Sequence, residues 1–267
     1  MNVRSTVSVV HAEDSSSASA KFLLALTDLR ENLFSILLAI MVIRGIRQTL
    51  QGVYEITPDA GSAFFLRSEY LHSVSEERLV PVDGGLAGED ELFVRPGDLT
   101  AGMDGVFSDE ETGDILHAAV VYAVESAAMS YLSRAEHCRS SLSAKLVKKG
   151  MDKTDVDEAL DHLETVGYLD DYRFAGAWLR TRYVSHAEGR TKLLSELLSR
   201  GVDPDAAKKA LDDFFSVHSQ PEICRRAVRK YLRTHRNAEE ERLYASLVRL
   251  GFTYGQIKSA LSDEEVS

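Results

Sequence analysis

The chain has few cysteines, the residues whose disulfides cross-link small secreted proteins, since only two occur among its 267 residues. Cys138 and Cys224 lie far apart in the sequence, which makes a disulfide framework a poor explanation of the fold. Thiols that stay reduced are typical of the cytosol. We therefore expect a cytoplasmic protein with two buried or half-buried free cysteines.

The N-terminal region lacks a membrane anchor or an export signal that its sequence would make recognisable. Its uncharged run, residues 33–43, is about half as long as a membrane span needs, and Arg30, Glu31 and Arg44 stand at its edges. The run starts too late for a signal peptide, and no small-residue cleavage site follows it. We interpret it as an amphipathic or buried helix, and we expect the polar residues 1–20 to be disordered.

Recognisable catalytic and metal-binding sets are missing as well. The eight histidines are scattered, and no pair has metal-ligand spacing on one helix face. Asp170 and Asp171 could form a carboxylate pair, but capping of the following helix explains them more simply. Trp178 could stack on a nucleic-acid base, but its place in an apolar helical stripe favours core packing. We therefore predict a protein that is not an enzyme and needs no cofactor or metal.

Basic residues are scarce only in the first part of the chain. Residues 1–120 contain 8 Lys and Arg against 19 Asp and Glu, whereas residues 121–267 contain 23 of each. The whole chain carries a net charge of −11, which argues against a nonspecific DNA binder. It leaves room for a local basic face in the second half.

A strand-like pattern fills residues 53–95. Short runs rich in β-forming residues predict strands at 53–56, 63–66, 79–82 and 91–95. Thr57–Gly61 reads as a turn, because proline fixes φ and glycine permits a positive φ. We predict a small β-containing module of three or four strands over residues 41–107.

Helical patterns then continue to the C-terminus. Ser108 and Glu111 form a capping box, which predicts a long helix to about Ser133. Eight more helices are predicted near 138–149, 153–166, 171–184, 189–200, 204–215, 221–235, 239–250 and 254–262.

One sequence pattern occurs three times in this helical part. The segments are KLVKKGMDKTDVDEAL from Lys145, ELLSRGVDPDAAKKAL from Glu196 and SLVRLGFTYGQIKSAL from Ser246, and their shared glycines Gly150, Gly201 and Gly251 are 51 and 50 residues apart. A fixed period of this size is typical of stacked helical units, each of which cannot bury its apolar face alone.

Several short motifs in the repeat region resemble the signature of the RecX family, bacterial regulators of the RecA recombinase. They are Gly167-Tyr168-Leu169-Asp170-Asp171, Arg173-Phe174-Ala175, Gly189-Arg190, Glu196-Leu197 and Gly201-Val202. The resemblance extends over roughly residues 122–261. It implies a mainly α fold of three tandem three-helix repeats, a solenoid of helix-turn-helix-like units, which agrees with the period found above.

The resemblance divides the chain into three parts. Residues 1–40 are an N-terminal extension that is either disordered or mis-assigned, since a start at Met41 would suit the family. Residues 41–107 are the β-containing module. Residues 108–267 hold the repeats, near 108–167, 168–217 and 218–262.

The resemblance also implies a function in DNA repair, homologous recombination and the SOS response. RecX proteins bind the RecA filament on single-stranded DNA and restrain its growth, ATP hydrolysis and strand exchange. We therefore expect a modulator of RecA, mainly an inhibitor, that is a cytoplasmic monomer without a membrane partner and whose other possible ligand is single-stranded DNA. The alternatives are a direct DNA-binding regulator of helix-turn-helix type and a helical protein-interaction scaffold.

Clustered basic residues are the candidate partner-binding surface. The segment 220–236 has six Lys and Arg against one Glu, and most of its cations share one helix face beside an apolar face. A second group lies in repeat 2, and a third, Arg139, Lys145, Lys148 and Lys149, lies in repeat 1. The predicted contact residues are Arg173, Arg180, Arg182, Arg190, Lys192, Arg225, Arg226, Arg229, Lys230, Arg233 and Arg236.

Overall fold

A computed structural model describes residues 43–79, 107–235 and 239–265. The strands in these ranges are β1 (Ile43–Leu50), β2 (Val53–Pro58) and β3 (Phe64–Arg67). The helices are α1 (Asp109–Leu132), α2 (Arg139–Lys148), α3 (Lys153–Thr165), α4 (Asp171–Ser185), α5 (Arg190–Ser199), α6 (Pro204–Val217), α7 (Gln220–Thr234), α8 (Glu240–Arg249) and α9 (Tyr254–Glu265). The chain divides into two compact units, with the boundary between Ala123 and Val124.

The first unit contains an antiparallel sheet in the order β1-β2-β3. Ile46 pairs with Ile56, and Tyr54 pairs with Leu66; all four side chains are buried. The carboxylate of Asp114 accepts hydrogen bonds from the backbone N–H groups of residues 72–74 at 2.7–3.0 Å. These bonds lower the pKa of Asp114 against the opposing effect of burial and hold the segment after the sheet on α1.

Helix α1 begins at the predicted capping box. The Ser108 N–H donates to the Glu111 carboxylate at 2.9 Å, and the Glu111 N–H donates to Ser108 Oγ at 3.3 Å. By length and a mean hydropathy of 1.4, α1 is the one helix in the described ranges that could cross a membrane. It also has a buried stripe, Ile115, Ala118, Val121, Val124 and Ala128, and the core helix of a globular protein has the same composition.

The helices form three repeats of three helices each: repeat 1 is α1–α3, repeat 2 is α4–α6 and repeat 3 is α7–α9. Within the second compact unit, Val124–Ser267, one continuous core runs from Cys138 to Ala260 and includes the matched leucines Leu197 and Leu247. In repeat 2, α4 and α5 both pack on α6, and in repeat 3, α7 and α8 both pack on α9. Mainly α structure with three tandem three-helix repeats and a small sheet confirms the predicted fold class.

The second helix of every repeat ends in the same way. Gly150, Gly201 and Gly251 have φ of 90°, 78° and 89°, a conformation that glycine adopts without a steric penalty. Each glycine N–H donates to the carbonyl three residues back at 2.9 Å, and the next N–H donates five residues back at 3.2–3.3 Å. This is the Schellman motif, and it turns the chain into the third helix of the repeat.

Most of the predicted elements are found within two or three residues of their expected limits. The predicted strands at 53–56 and 63–66 are β2 and β3, whereas residues 80–106, with most of the other two, lie outside the described residues. Strand β1 was not predicted as a strand. The helix expected at 33–43 and the extension 1–40 also lie outside the described residues, except for Ile43, which begins β1.

Candidate partner-binding surface

The second helices of neighbouring repeats meet end to end. Gly189 is the N-cap of α5, and its N–H donates at 2.8 Å to the carbonyl of Leu250, the C-cap of α8. Cys138 is the N-cap of α2, and its thiol donates at 3.3 Å to the carbonyl of Arg200, the C-cap of α5. The helices α8, α5 and α2 therefore follow one another head to tail, so that each positive N-terminus faces a negative C-terminus.

Glycine is required at these joints because the neighbouring repeat leaves no space for a Cβ. A Cβ on Gly189 would overlap the carbonyl oxygen of Gly251 and lie 2.6 Å from its carbonyl carbon. A Cβ on Gly201 would lie 2.6 Å from Cβ of Ser140. The φ of Gly189 is an ordinary −79°, so this glycine is needed for space and not for conformation.

Asp171 adds a further contact between repeats 1 and 2. One carboxylate oxygen accepts from the N–H of Arg139 at 2.8 Å, and the other accepts from the N–H of Asp203 at 2.7 Å. Its neighbour Asp170 caps α4, as predicted, by accepting from the N–H groups of Tyr172 and Arg173. The two carboxylates thus have separate structural tasks.

The cations predicted in repeat 2 are mostly engaged within the fold. Arg182 makes a two-pronged ion pair with the buried carboxylate of Glu188 at 2.7 and 2.9 Å, which raises the pKa of Arg182. Arg173 reaches Glu136 at 2.6 Å and donates to two carbonyls of the α3–α4 turn. Arg190 pairs with Asp212. Only Arg180 among them is exposed and has no ion pair with a described residue.

Trp178 and Glu196 organise the remaining charges of repeat 2. The guanidinium carbons of Arg182 and Arg200 lie 5.6 and 4.7 Å from the centre of the half-buried Trp178 ring, which packs against the core. Glu196 accepts from Lys192 at 2.8 Å and from Arg200 at 2.7 Å. These two hydrogen bonds lower the pKa of Glu196 to about 2. Trp178 therefore packs as predicted, with cations stacked on it.

Two cations of α7 belong to the joint between repeats 2 and 3. Arg226 donates to the carbonyl of Tyr183 at 2.8 Å and to that of His186, while its guanidinium lies 4.2 Å from the Tyr183 ring centre. Lys230 donates to the carbonyl of Ser185 at 3.3 Å. Both side chains thus bind carbonyls that the end of α4 leaves without a helical partner.

The rest of the α7 face is more open. Arg225 is half-buried and pairs with Asp263 at 3.0 Å, and the side chains of Arg229 and Arg233 are exposed. Arg236 lies outside the described residues. The structure therefore brings Arg226 and Lys230 to the end of α4, with Arg229 and Arg233 on the neighbouring turns of the same helix.

In repeat 1 the predicted basic group is divided. Arg139 lies 2.6 Å from Glu164 and 2.7 Å from Asp161; burial alone would lower its pKa, but these carboxylates raise it. Lys145 and Lys148, in the last turn of α2, and Lys149, its C-cap, are exposed. Arg139 is therefore a link between α2 and α3.

Sequence reasoning did not predict the end-to-end joints. A signal was present, because Cys138, Gly189 and Glu239 lie in register with the repeat period, 51 and 50 residues apart. To pair these N-caps with the repeated glycines, one must know that the second helices follow one another end to end. Only the tertiary structure shows that arrangement.

Three copies of one three-helix design, linked by the same end-to-end contact, make this chain a tandem-repeat protein of the helical solenoid class. Family models for RecX match the same part: the first three-helix domain matches residues 126–163, and the second matches residues 170–211.

Curated relatives extend the match. The regulatory protein RecX of Treponema pallidum (strain Nichols) is 34% identical over 157 residues, which cover 59% of this chain and 94% of the relative. That of Prosthecochloris aestuarii is 30% identical over 138 residues, 51% of this chain and 89% of the relative. The chain belongs to the RecX family of regulatory proteins.

Solved structures support the fold. A crystal structure of regulatory protein RecX superposes with a TM-score of 0.56 at 21% identity and covers 82% of this chain and 99% of its own. RecX from Lactobacillus salivarius gives 0.50 at 20% identity, with coverage of 55% and 98%.

Proposed function

We propose that this protein modulates RecA, mainly as an inhibitor, by binding the RecA filament on single-stranded DNA and restraining its growth, ATP hydrolysis and strand exchange. Family membership carries the proposal, since a RecX name implies action on RecA. The work takes place in the cytoplasm and requires no catalysis by this chain.

The repeat array suits such a partner because its repeats are held in fixed relation. End-to-end hydrogen bonds and the Arg226 contacts tie the repeats of the second unit together. Stacked repeats present extended surfaces that can bind along a polymer. A single three-helix unit of about fifty residues could not span several filament subunits.

Contacts to the partner are proposed for the predicted cations whose side chains are exposed: Arg180, Arg229, Lys230 and Arg233. Among the other predicted residues in the described ranges, Arg226 sets the joint, Arg173 and Arg182 fix the ends of α4, and Arg190, Lys192 and Arg225 have carboxylate partners. Acidic protein surface is the proposed ligand of the α7 face, because a local group of carboxylates can meet this face alone. A long phosphate chain would also meet the acidic remainder of a protein whose net charge is −11.

The test is a pull-down of the protein with RecA filaments, with and without single-stranded DNA, at two salt concentrations. We expect retention on filaments and reduced ATP hydrolysis. Reversal of Arg229 and Arg233 to glutamate should slow association, since rim charges act mainly on the on-rate. Arg225 is left intact because it is half-buried and pairs with Asp263.

A matched control reverses Lys208 and Lys258, two exposed lysines elsewhere in repeats 2 and 3. Lys208 pairs with the exposed Asp205 at 3.3 Å, so the control also reports the effect of losing an exposed ion pair. Surface changes of this kind alter stability by about 0.5 kcal/mol or less. If both double variants inhibit RecA as well as the unchanged protein, the α7 face is only solvated.

The second candidate is a direct DNA-binding regulator, which the helix–glycine–helix geometry of each repeat resembles. Binding to duplex DNA without RecA, with affinity that falls steeply with salt, would favour it over the proposed function.

A further inference from the structure

The same position in the second helix of every repeat exposes an apolar side chain. Val147, Leu198 and Val248 lie 51 and 50 residues apart on α2, α5 and α8, and their exposed fractions are 41%, 42% and 40%. Apolar residues scattered singly over a surface are normal. Recurrence at one position in all three repeats instead marks a face that the packing of the array leaves uncovered.

A small uncharged residue precedes each apolar one by three positions, on the same side of its helix. These residues, Ala144, Ser195 and Ala245, are all exposed. We call the three apolar and the three small residues together the second-helix stripe. Because α8, α5 and α2 follow one another end to end and have ten residues each, the stripe extends over about 45 Å at 1.5 Å per residue.

The line of second helices carries opposite charges at its two ends. Residues 239–241, where α8 begins, are all glutamate, and the end of α2 carries Lys145, Lys148 and Lys149; all of these side chains are exposed. Lys145 and Lys149 lie beside the Tyr131 ring. Neither Lys148 nor Glu241 has an ion pair with another residue in the described ranges. Both charges can therefore meet opposite charges on another molecule.

A second copy of this chain is complementary to both features. If two copies pack antiparallel about a two-fold axis near the middle of α5, the stripe of one meets the stripe of the other, and each acidic end faces a basic end. Helices of equal length place the two charged ends at similar distances from that axis. A two-fold axis also makes every contact occur twice. Parallel packing would instead bring like charges together.

We propose that the chain forms an antiparallel homodimer through the second-helix stripe, with Leu198 of each copy within one turn of the axis and Lys148 of one copy opposite Glu241 of the other. A contact about 10 Å wide, the width of a helix, covers about 450 Å² of each copy over this length. The total of about 900 Å² is the size of a weak interface. We expect a Kd of about 10–100 μM, which leaves a monomer, the state expected from the sequence, at low concentration.

The experiment is sedimentation velocity of the full chain alone, from about 1 to 300 μM, a range that brackets the expected Kd. The average sedimentation coefficient should rise with concentration from that of a monomer towards that of a dimer. Leu198→Glu should weaken association at least tenfold, because it brings two carboxylates together near the axis. Val217→Glu makes the same kind of change on α6, at a side chain that is 77% exposed, and should leave association unchanged.

Exchange of the two end charges tests the antiparallel arrangement. Lys148→Glu and Glu241→Lys each place like charges at both charge contacts of the dimer, so each variant alone should associate several-fold more weakly. An equimolar mixture of the two variants should associate like the unchanged protein. In that mixed dimer the new carboxylate faces the new ammonium group, and the native Lys148 faces the native Glu241. Thermal unfolding of each variant checks that the fold is retained.

Three results would overturn the proposal: a monomer throughout the concentration range, equal losses in Leu198→Glu and Val217→Glu, or a mixture of charge variants that associates no better than either alone. If the chain stays monomeric and Leu198→Glu, unlike Val217→Glu, is lost from RecA filaments, the stripe belongs to a filament contact instead. Because sedimentation is measured without RecA, failure there leaves the proposed modulation of RecA untouched, and failure of the filament pull-down leaves the dimer untouched.

Discussion

The joint between repeats 2 and 3 can be tested with one methyl group. In Gly189→Ala the new Cβ would overlap the Gly251 carbonyl oxygen and lie 3.1 Å from a ring carbon of Phe252. Two of the three nearest atoms belong to the backbone, so no side-chain rotation can relieve the clash. The N-cap of α5 and the C-terminus of α8 must move apart.

The expected loss has two parts. Overpacking at a tightly packed position costs about 1–3 kcal/mol. Separation of the helices also weakens the hydrogen bond from the Gly189 N–H to the Leu250 carbonyl, worth about 0.5–1.5 kcal/mol. Because φ of Gly189 is −79°, alanine introduces no backbone strain, and the total should be about 2–4 kcal/mol.

Gly113→Ala is the matched control. Gly113 lies in α1, and a Cβ there would meet nothing within 4 Å, so the same chemical change should stabilise the protein by about 0.4–1 kcal/mol. Denaturant titration followed by circular dichroism measures both variants, and hydrogen exchange shows whether α7–α9 open separately. A loss below about 0.5 kcal/mol for Gly189→Ala, with the control behaving as expected, would refute the end-to-end joint.

Four further predictions concern stability. Leu197→Ala should lower the free energy of unfolding by about 2–5 kcal/mol in denaturant titration, because Leu197 is fully buried. Leu232→Ala, at an exposed position, should lower it by less than about 1 kcal/mol. Equal losses in the two variants would mean that the repeat register is wrong. Arg226→Ala should cost about 1–3 kcal/mol, since it removes charged hydrogen bonds to two carbonyls of the α4 end, and an unchanged unfolding midpoint would contradict this. The pKa of Glu196 is about 2 in the folded protein, against an ordinary value of 4.5. Its contribution to the stability of the fold is therefore complete above pH 4.5 and is lost as the pH falls towards 2. The difference in melting temperature between the unchanged protein and Glu196→Gln should shrink over that pH range. Deletion of residues 1–40 should leave the melting temperature unchanged, because the family resemblance begins after them, and a large decrease would contradict that prediction.

Local patterns fixed the repeats with little ambiguity. Gly150, Gly201 and Gly251 recur at a constant period, and a glycine after a helix signals an end with positive φ because other residues rarely adopt it. Asp170 and the capping box at Ser108 were recognisable for a similar reason: their hydrogen bonds join residues two or three apart. Such interactions involve only residues that lie within one turn of the same helix.

The sequence also predicted a basic face, but it could not show which cations are bound within the fold and which are exposed. Arg182 and Arg233 look alike in the sequence, yet one is bound to the buried Glu188 and the other is exposed. Helical periodicity gives the direction of a side chain relative to its own helix axis. It does not give the carboxylate, carbonyl or ring that a neighbouring helix brings to it.

What the sequence determined by itself is therefore the number of units, their helices, their ends and their family, since each depends on contacts a few residues apart or on a repeated spacing. The tertiary structure alone decided that Gly189 must be glycine for lack of space, that Arg226 binds the end of α4 and that Asp171 joins repeats 1 and 2. Each of these depends on atoms from segments between about 32 and 62 residues apart, and only packing of the repeats brings those atoms together.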